Sequence, residues 1–191
     1  MTEIKQNKPE ICGIVAVGPN NVIGLNGNMP WHSRQDFYHF KSLTMGNPVI
    51  FGKNTFFNLP KHPLPRRLNI VCSSAYKTEN LGDYVRAASL EDAIQYCKDF
   101  KKLFICGGAG IYKYSLDKDY IDTMYLTRLF DKDLSAQIAK NPADYTRFPV
   151  EISEFFNSPK WLCERIFYSP DVLPLETSNI IAEFFKFTRT R

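Results

Sequence analysis

Five short apolar runs, at residues 11–17, 48–51, 68–72, 103–106 and 124–129, punctuate the first two thirds of the chain, with helix-forming stretches between several of them. Each is too short for a typical globular helix and too continuously apolar for a sheet with one wet face. They read as strands buried on both faces. Buried strands alternating with helices point to a mostly parallel sheet covered on both sides. A weaker strand follows at 84–87. Residues 161–168 and 181–188 look like the two arms of an antiparallel hairpin, joined by a long linker containing Pro170 and Pro174. The expected fold is therefore α/β: one domain over 1–191 around a twisted, mostly parallel sheet of about eight strands. It ends in a C-terminal antiparallel hairpin and is flanked by about four helices. Residues 131–147 are polar with room for a small helix, and 148–155 read as an aromatic-rich connection.

Composition narrows the function classes. The 191 residues carry a net charge of +4 with no block of like charges, too mild for nucleic-acid binding but suited to small polyanionic ligands. Residues 1–10 form a polar extension without signal-peptide character, and no run is long enough to span a membrane. The five cysteines are odd in number, scattered, and without a Cys-x-x-Cys, while His32, His39 and His62 lack metal-ligand spacing. A reduced, intracellular, metal-free protein is expected.

The stretch Met29-Pro30-Trp31-His32-Ser33-Arg34-Gln35-Asp36 passes from a Gly/Asn/Pro-rich loop into a helix ending near Gly46. Asp36 shares a helical face with Phe37, Phe40 and Leu43, and a carboxylate on an apolar face is costly unless something pairs with it. Two readings stay open on pattern alone. Ser33-Arg34-Gln35-Asp36 has capping-box spacing, which would fold the carboxylate back onto the first amides. Alternatively Asp36 points into a pocket and receives hydrogen bonds from a ligand with adjacent N–H donors, where desolvation would raise its pKa.

Two strand-to-helix turns are rich in glycine: Gly52-Lys53-Asn54-Thr55 and Gly107-Gly108-Ala109-Gly110. Free amides at a helix start favour an anion, and Lys53 and the Thr55 hydroxyl add a charge and a donor. With Ser73-Ser74 at a third strand end, they suit a ligand longer than a monophosphate. Neither turn matches Gly-x-Gly-x-x-Gly, so the usual Rossmann fingerprint is absent. Arg66 and Arg67 follow the stiff His62-Pro63-Leu64-Pro65 segment, where a guanidinium could clamp a carboxylate; a solvated surface pair is the plainer reading.

These pieces, in this order, resemble the dihydrofolate reductase family. The motifs are Gly24 through Trp31 with Asp36 beyond, Gly52-Lys53-Asn54-Thr55, Pro65-Arg66-Arg67-Leu68-Asn69-Ile70, and Gly107-Gly108 with Ile111-Tyr112. The likeness runs over about 11–127 and is weaker in the hairpin. It implies NADPH-dependent reduction of 7,8-dihydrofolate to tetrahydrofolate, feeding one-carbon and thymidylate metabolism, by a cytoplasmic monomer acting on small molecules. Neither nucleic acid nor membrane is an expected partner.

The resemblance also implies roles. Asp36 would hold the pterin and assist its protonation, supported by Thr127 through water, with Trp31 positioning a further water and Tyr112 also among the catalytic residues. Met29 would lie in the mobile loop over the nicotinamide. Val15, Ala16, Phe37, Phe40, Leu59 and Leu64 would wall the substrate, Cys106 would border the nicotinamide, Arg67 would clamp the glutamate tail, and Lys41 would assist at the periphery. Ala16, Ile23, Gly24, Gly52, Lys53, Asn54, Thr55, Ser73 and Ser74, with Gly107, Gly108, Ala109, Gly110, Ile111 and Tyr112, would hold the cofactor. The Gly107-Gly108 bond would be cis. The chain departs from the family pattern at Lys53 and Gly110, where arginines are frequent; Lys77 or Arg86 could compensate. It departs also at Asn58, at Cys106, which could leave a reactive wall, and in the insertion at 131–147.

Overall fold

The computed structural model describes residues 8–169, 171–176 and 179–190. The first seven residues of the polar start, and Pro170 of the linker, lie outside them. In chain order the elements are β1 (Glu10–Val17), β2 (Val22–Leu25), α1 (Arg34–Thr44), β3 (Val49–Gly52), α2 (Lys53–Phe57) and β4 (Asn69–Cys72). There follow β5 (Glu79–Asn80), β6 (Val85–Ala87), α3 (Leu90–Tyr96), β7 (Lys102–Ile105), α4 (Ala109–Asp117) and β8 (Thr123–Phe130). The last are α5 (Lys132–Lys140), β9 (Tyr145–Arg147), α6 (Ser153–Asn157), β10 (Trp161–Ile166) and β11 (Ile181–Arg189).

Nine strands make one sheet in the order β10-β11-β8-β1-β7-β3-β4-β6-β5. From β8 to β6 the pairings are parallel, while β11 with β8, β10 with β11 and β5 with β6 are antiparallel. The expected parallel centre and antiparallel hairpin are both present. The described residues hold more elements than the apolar pattern implied, with six α-helices and two further strands outside the main sheet. β5 is two exposed residues and leaves no hydrophobic period to read. α6 occupies part of the stretch that read as connection, with only Phe155 buried.

The apolar runs are buried on both faces, as continuous hydrophobicity requires. Along β1, Ile11, Val15 and Val17 join one core cluster, while Cys12 and Ile14 join another with Val49, Phe51, Phe56, Val71 and Phe104. A third cluster (Val22, Trp31, Leu129, Leu134, Ile138, Tyr145 and Ile180) packs beneath the loop after β1. That loop is not free: β2 pairs antiparallel with β9, Val22 against Arg147 and Leu25 against Tyr145. Residues 131–147 thus form α5 and β9, which brace the loop that leads to Trp31. Among the described residues no helix is long and apolar enough to cross a membrane.

In open α/β sheets ligands bind outside the carboxyl ends of the parallel strands, where the order reverses. Here β1 sits between β7 and β8, with β3 and β4 beyond β7, so Ala16, Gly52, Ser73 and Cys106 all lie at or just past one edge.

Candidate active site

At that edge stands Asp36, in the first turn of α1 and only 8% exposed. Only the serine half of the capping box forms. Ser33 caps the helix, its hydroxyl oxygen accepting from the Asp36 N–H at 3.2 Å. The Asp36 carboxyl instead meets the Thr127 hydroxyl of β8. Burial pushes its pKa up, the Thr127 hydroxyl pulls it back and the charge of Glu176 adds to the rise, leaving it at about 6. A carboxyl so placed holds or yields a proton near neutral pH, as acid/base work requires.

The other residues expected to wall the substrate come from β1, α1 and the segment after α2. Val15 and Ala16 come from β1, and Ala16 lies opposite Thr127 in the register. From α1, Phe40 and Leu43 reach the core, while Phe37 is half-buried and touches the ring of His32. Leu59 and Leu64, from the proline-rich segment after α2, pack on the same cluster as Phe40. Trp31 is 7% exposed, with its indole N–H buried and without a protein partner. Met29 is 39% exposed and Lys41 is exposed. Gly27, at φ +83°, brings this loop onto Asn58 after α2; an added Cβ would lie 2.2 Å from the Asn58 amide nitrogen.

The two arginines separate. Arg66, at φ +57°, turns to the surface and lies against the Met45 sulfur. Arg67 is half-buried: it donates to the Thr44 hydroxyl at 3.1 Å and to the Pro65 carbonyl at 3.2 Å, and its guanidinium lies 5.9 Å from the Phe40 ring centre. Among the described residues no carboxylate pairs with it. It is therefore a cation held beside the Phe40 ring.

The glycine turns lie side by side, with Gly52 N–H donating to the Gly107 carbonyl at 2.7 Å. Gly107-Gly108 is cis, as the resemblance implied. Neither α2 nor α4 has a side-chain cap. An added Cβ at Gly108 would sit 2.7 Å from the Thr55 hydroxyl, so only glycine lets the turns meet. Tyr112 donates to the Ile14 carbonyl at 2.5 Å, which ties the second turn to β1 and occupies its hydroxyl. Beyond the turns runs a groove of about 560 Å³ lined by Ser73, Ser74, Ser89, Glu91, Gly110 and Tyr114 among others. Ile111 lines it too, Ala109 opens α4, and Asn54 is exposed beside Lys53. Lys53 and Arg86 both lie over the Tyr76 ring, at 5.7 and 4.8 Å, while Lys77 is exposed. Ile23 and Gly24 lie on β2.

Cys106 requires a correction. Its thiol points at the Phe104 carbonyl and burial pushes its pKa up, which leaves it protonated and a poor nucleophile rather than a reactive wall. Local sequence also missed two partners of α1, Tyr168 and Glu176. His39 is 1% exposed and bonded to Tyr168 at 2.6 Å, and Glu176 meets the first turn. Only the helical spacing of His39 from Asp36 hinted that both were enclosed.

The family model described as dihydrofolate reductase matches residues 10–160. The chain belongs to the dihydrofolate reductase family. It is 34% identical to the dihydrofolate reductase of Haemophilus influenzae over 143 residues, which covers 74% of this chain and 85% of that protein. It is 33% identical over 134 residues to that of Candida albicans, covering 64% and 70%. Among solved structures, the Enterococcus faecalis dihydrofolate reductase complexed with NADP(H) and RAB-propyl superposes with a TM-score of 0.70 at 21% identity. It covers 96% of this chain and 98% of that one.

Proposed function

We propose that this protein reduces 7,8-dihydrofolate to 5,6,7,8-tetrahydrofolate with NADPH, on the residues assigned above. The observation that carries the reading is Asp36: a carboxyl buried at the carboxyl edge of the sheet, with its pKa at about 6. A flat heterocycle with neighbouring N–H donors matches its two oxygens, and the aromatic wall of Phe37 and Phe40 matches the ring. Arg67 suits a carboxylate at the substrate's far end.

The cofactor fits the residues present. Two abutting turns without side-chain caps, where an added Cβ would strike Thr55, leave backbone amides for a pyrophosphate. The adjoining groove has room for the nucleoside half, with Ser73 and Ser74 on its wall. Lys53, against Tyr76, supplies positive charge for the additional phosphate; Arg86 lies on the same ring and is paired with Glu79 at 3.0 Å. When bound, NADPH supplies the hydride. The chain's own residues do the rest. Asp36 favours the protonated pterin by placing negative charge beside it in a dry site, which makes the imine carbon a better acceptor. The unpartnered Trp31 indole N–H is placed to hold a water. The loop braced by β2 and β9, with Met29 at its end, closes the cleft and excludes bulk water.

We read the protein as a cytoplasmic monomer. The five free cysteines suit a reducing compartment. The test is NADPH oxidation measured with dihydrofolate, with a ribosylated pyrimidine in its place, and with NADH as donor. Turnover with NADPH and dihydrofolate, tenfold or more above the other two, is expected. No turnover with dihydrofolate overturns the reading.

A further inference from the structure

One carboxylate beside Asp36 has no part in the scheme above. Glu176 lies in the linker between β10 and β11, and it accepts from the Ser33 hydroxyl at 2.7 Å and from the backbone N–H groups of Arg34 at 3.3 Å and Gln35 at 3.4 Å. The amides of a helix's first turn have no partner inside the helix and favour negative charge. Ser33 in turn accepts from the Asp36 N–H, so a hydrogen-bonded chain runs from Glu176 to the backbone of Asp36. The same linker grips α1 at two more points: Gln35 donates its side-chain amide to the Pro174 carbonyl at 3.4 Å, and Tyr168 is bonded to His39 one turn further on.

We propose that Glu176 is a positioning residue for the Asp36 site: it docks the linker on the first turn of α1 and keeps a negative charge beside Asp36, so that the carboxyl and a bound pterin retain their shared proton to higher pH. This rests on the reading of Asp36 given above. The other groups facing Asp36 do not supply that charge. Thr127 of β8 offers a hydroxyl, and Tyr112 of α4 is neutral, its pKa raised by burial. His39 is uncharged above its pKa of about 4, which burial has lowered. Arg34 is exposed at the helix start, and His32 packs on Phe37. The Glu176 carboxylate is held at the helix start by the Ser33 hydroxyl and two backbone amides, and its charge adds to the rise in the Asp36 pKa.

The test compares Glu176→Gln, Glu176→Ala and Glu176→Asp with the full wild-type chain in three measurements. These are the pH profile of turnover at saturating NADPH and dihydrofolate, the carboxyl titration of Asp36 by NMR without ligands, and the thermal midpoint. Gln keeps an acceptor oxygen for the amides and loses only the charge. Its alkaline limb is expected to move to lower pH, with turnover at pH 8 down roughly two- to threefold and the deficit narrowing in acid. Its Asp36 titration should move down as well. Ala should add a fall of a few degrees in the midpoint through loss of the cap, and Asp should restore the profile. Gln and Ala profiles and titrations that superpose on wild type overturn the proposal, as does a change in the thermal midpoint alone. Absence of wild-type turnover would instead defeat the reading of the reaction, and the Asp36 titration would still judge Glu176.

Discussion

Asp36 shows how a functional group is held against its own solvation. Burial raises its folded-state pKa from 3.8 to about 6. A raised carboxyl pKa means that the folded state binds the proton more tightly than the unfolded one. The associated stability is full below pH 4 and lost as pH rises through 6. Two units correspond to about 3 kcal/mol. Asp36→Asn is therefore expected to unfold at higher denaturant concentration than wild type at pH 8, by up to about 3 kcal/mol, with the gap closing near pH 4. The same variant should lose most turnover at neutral pH. Equal stability at pH 8 would mean that the carboxyl is not buried ionised. Arg67 bears on the other end of the substrate. Arg67→Leu should raise KM for dihydrofolate about tenfold or more while kcat changes little. A fall in kcat with unchanged KM would place Arg67 outside the substrate's tail.

At the scale of elements, the arrangement depends on two braces that join distant segments. The β2–β9 ribbon and α5 hold the loop after β1, and the third core cluster lies beneath them. Ile138, on α5 and 1% exposed, fills that cluster beside Leu134. Ile138→Ala should lower stability in urea unfolding by about 2–5 kcal/mol. It should also reduce turnover, because Trp31 rests on the same cluster. A loss of stability with unaltered kcat and KM would show that α5 supports the fold without steadying the loop. The second brace is the linker on α1, which joins the helix at Ser33, Gln35 and His39. Between them the braces fix both ends of the segment that carries Trp31 and Asp36.

For the molecule as a whole, the sheet protects its centre and leaves its terminal strands, β10 and β5, exposed. β10 is the outermost strand at the hairpin end, with Leu162 67% exposed and Cys163 exposed. Cys12, Cys72 and Cys97 are buried, and Cys106 is directed at a carbonyl. One thiol per native chain should therefore react rapidly with a thiol-specific reagent, and Cys163→Ser should abolish that reaction. Rapid modification of a second cysteine would indicate that a core strand opens on the timescale of labelling.

The amino-acid sequence by itself settled the alternation of buried strands and helices, the two glycine turns, the passage from the Met29 loop into a helix and the family. All of these are local signals: a run of apolar residues, a cap, a glycine where a turn must form. It left two destinations open for the Asp36 carboxyl and two for the arginine pair, because a pattern records which face is enclosed and not what encloses it. Tertiary structure brought Thr127 to the Asp36 carboxyl and Thr44 to Arg67. It alone revealed β9 against β2 and Glu176 on α1, contacts that join residues more than 100 positions apart. No local period marks such partners, since each segment is satisfied only when the other arrives.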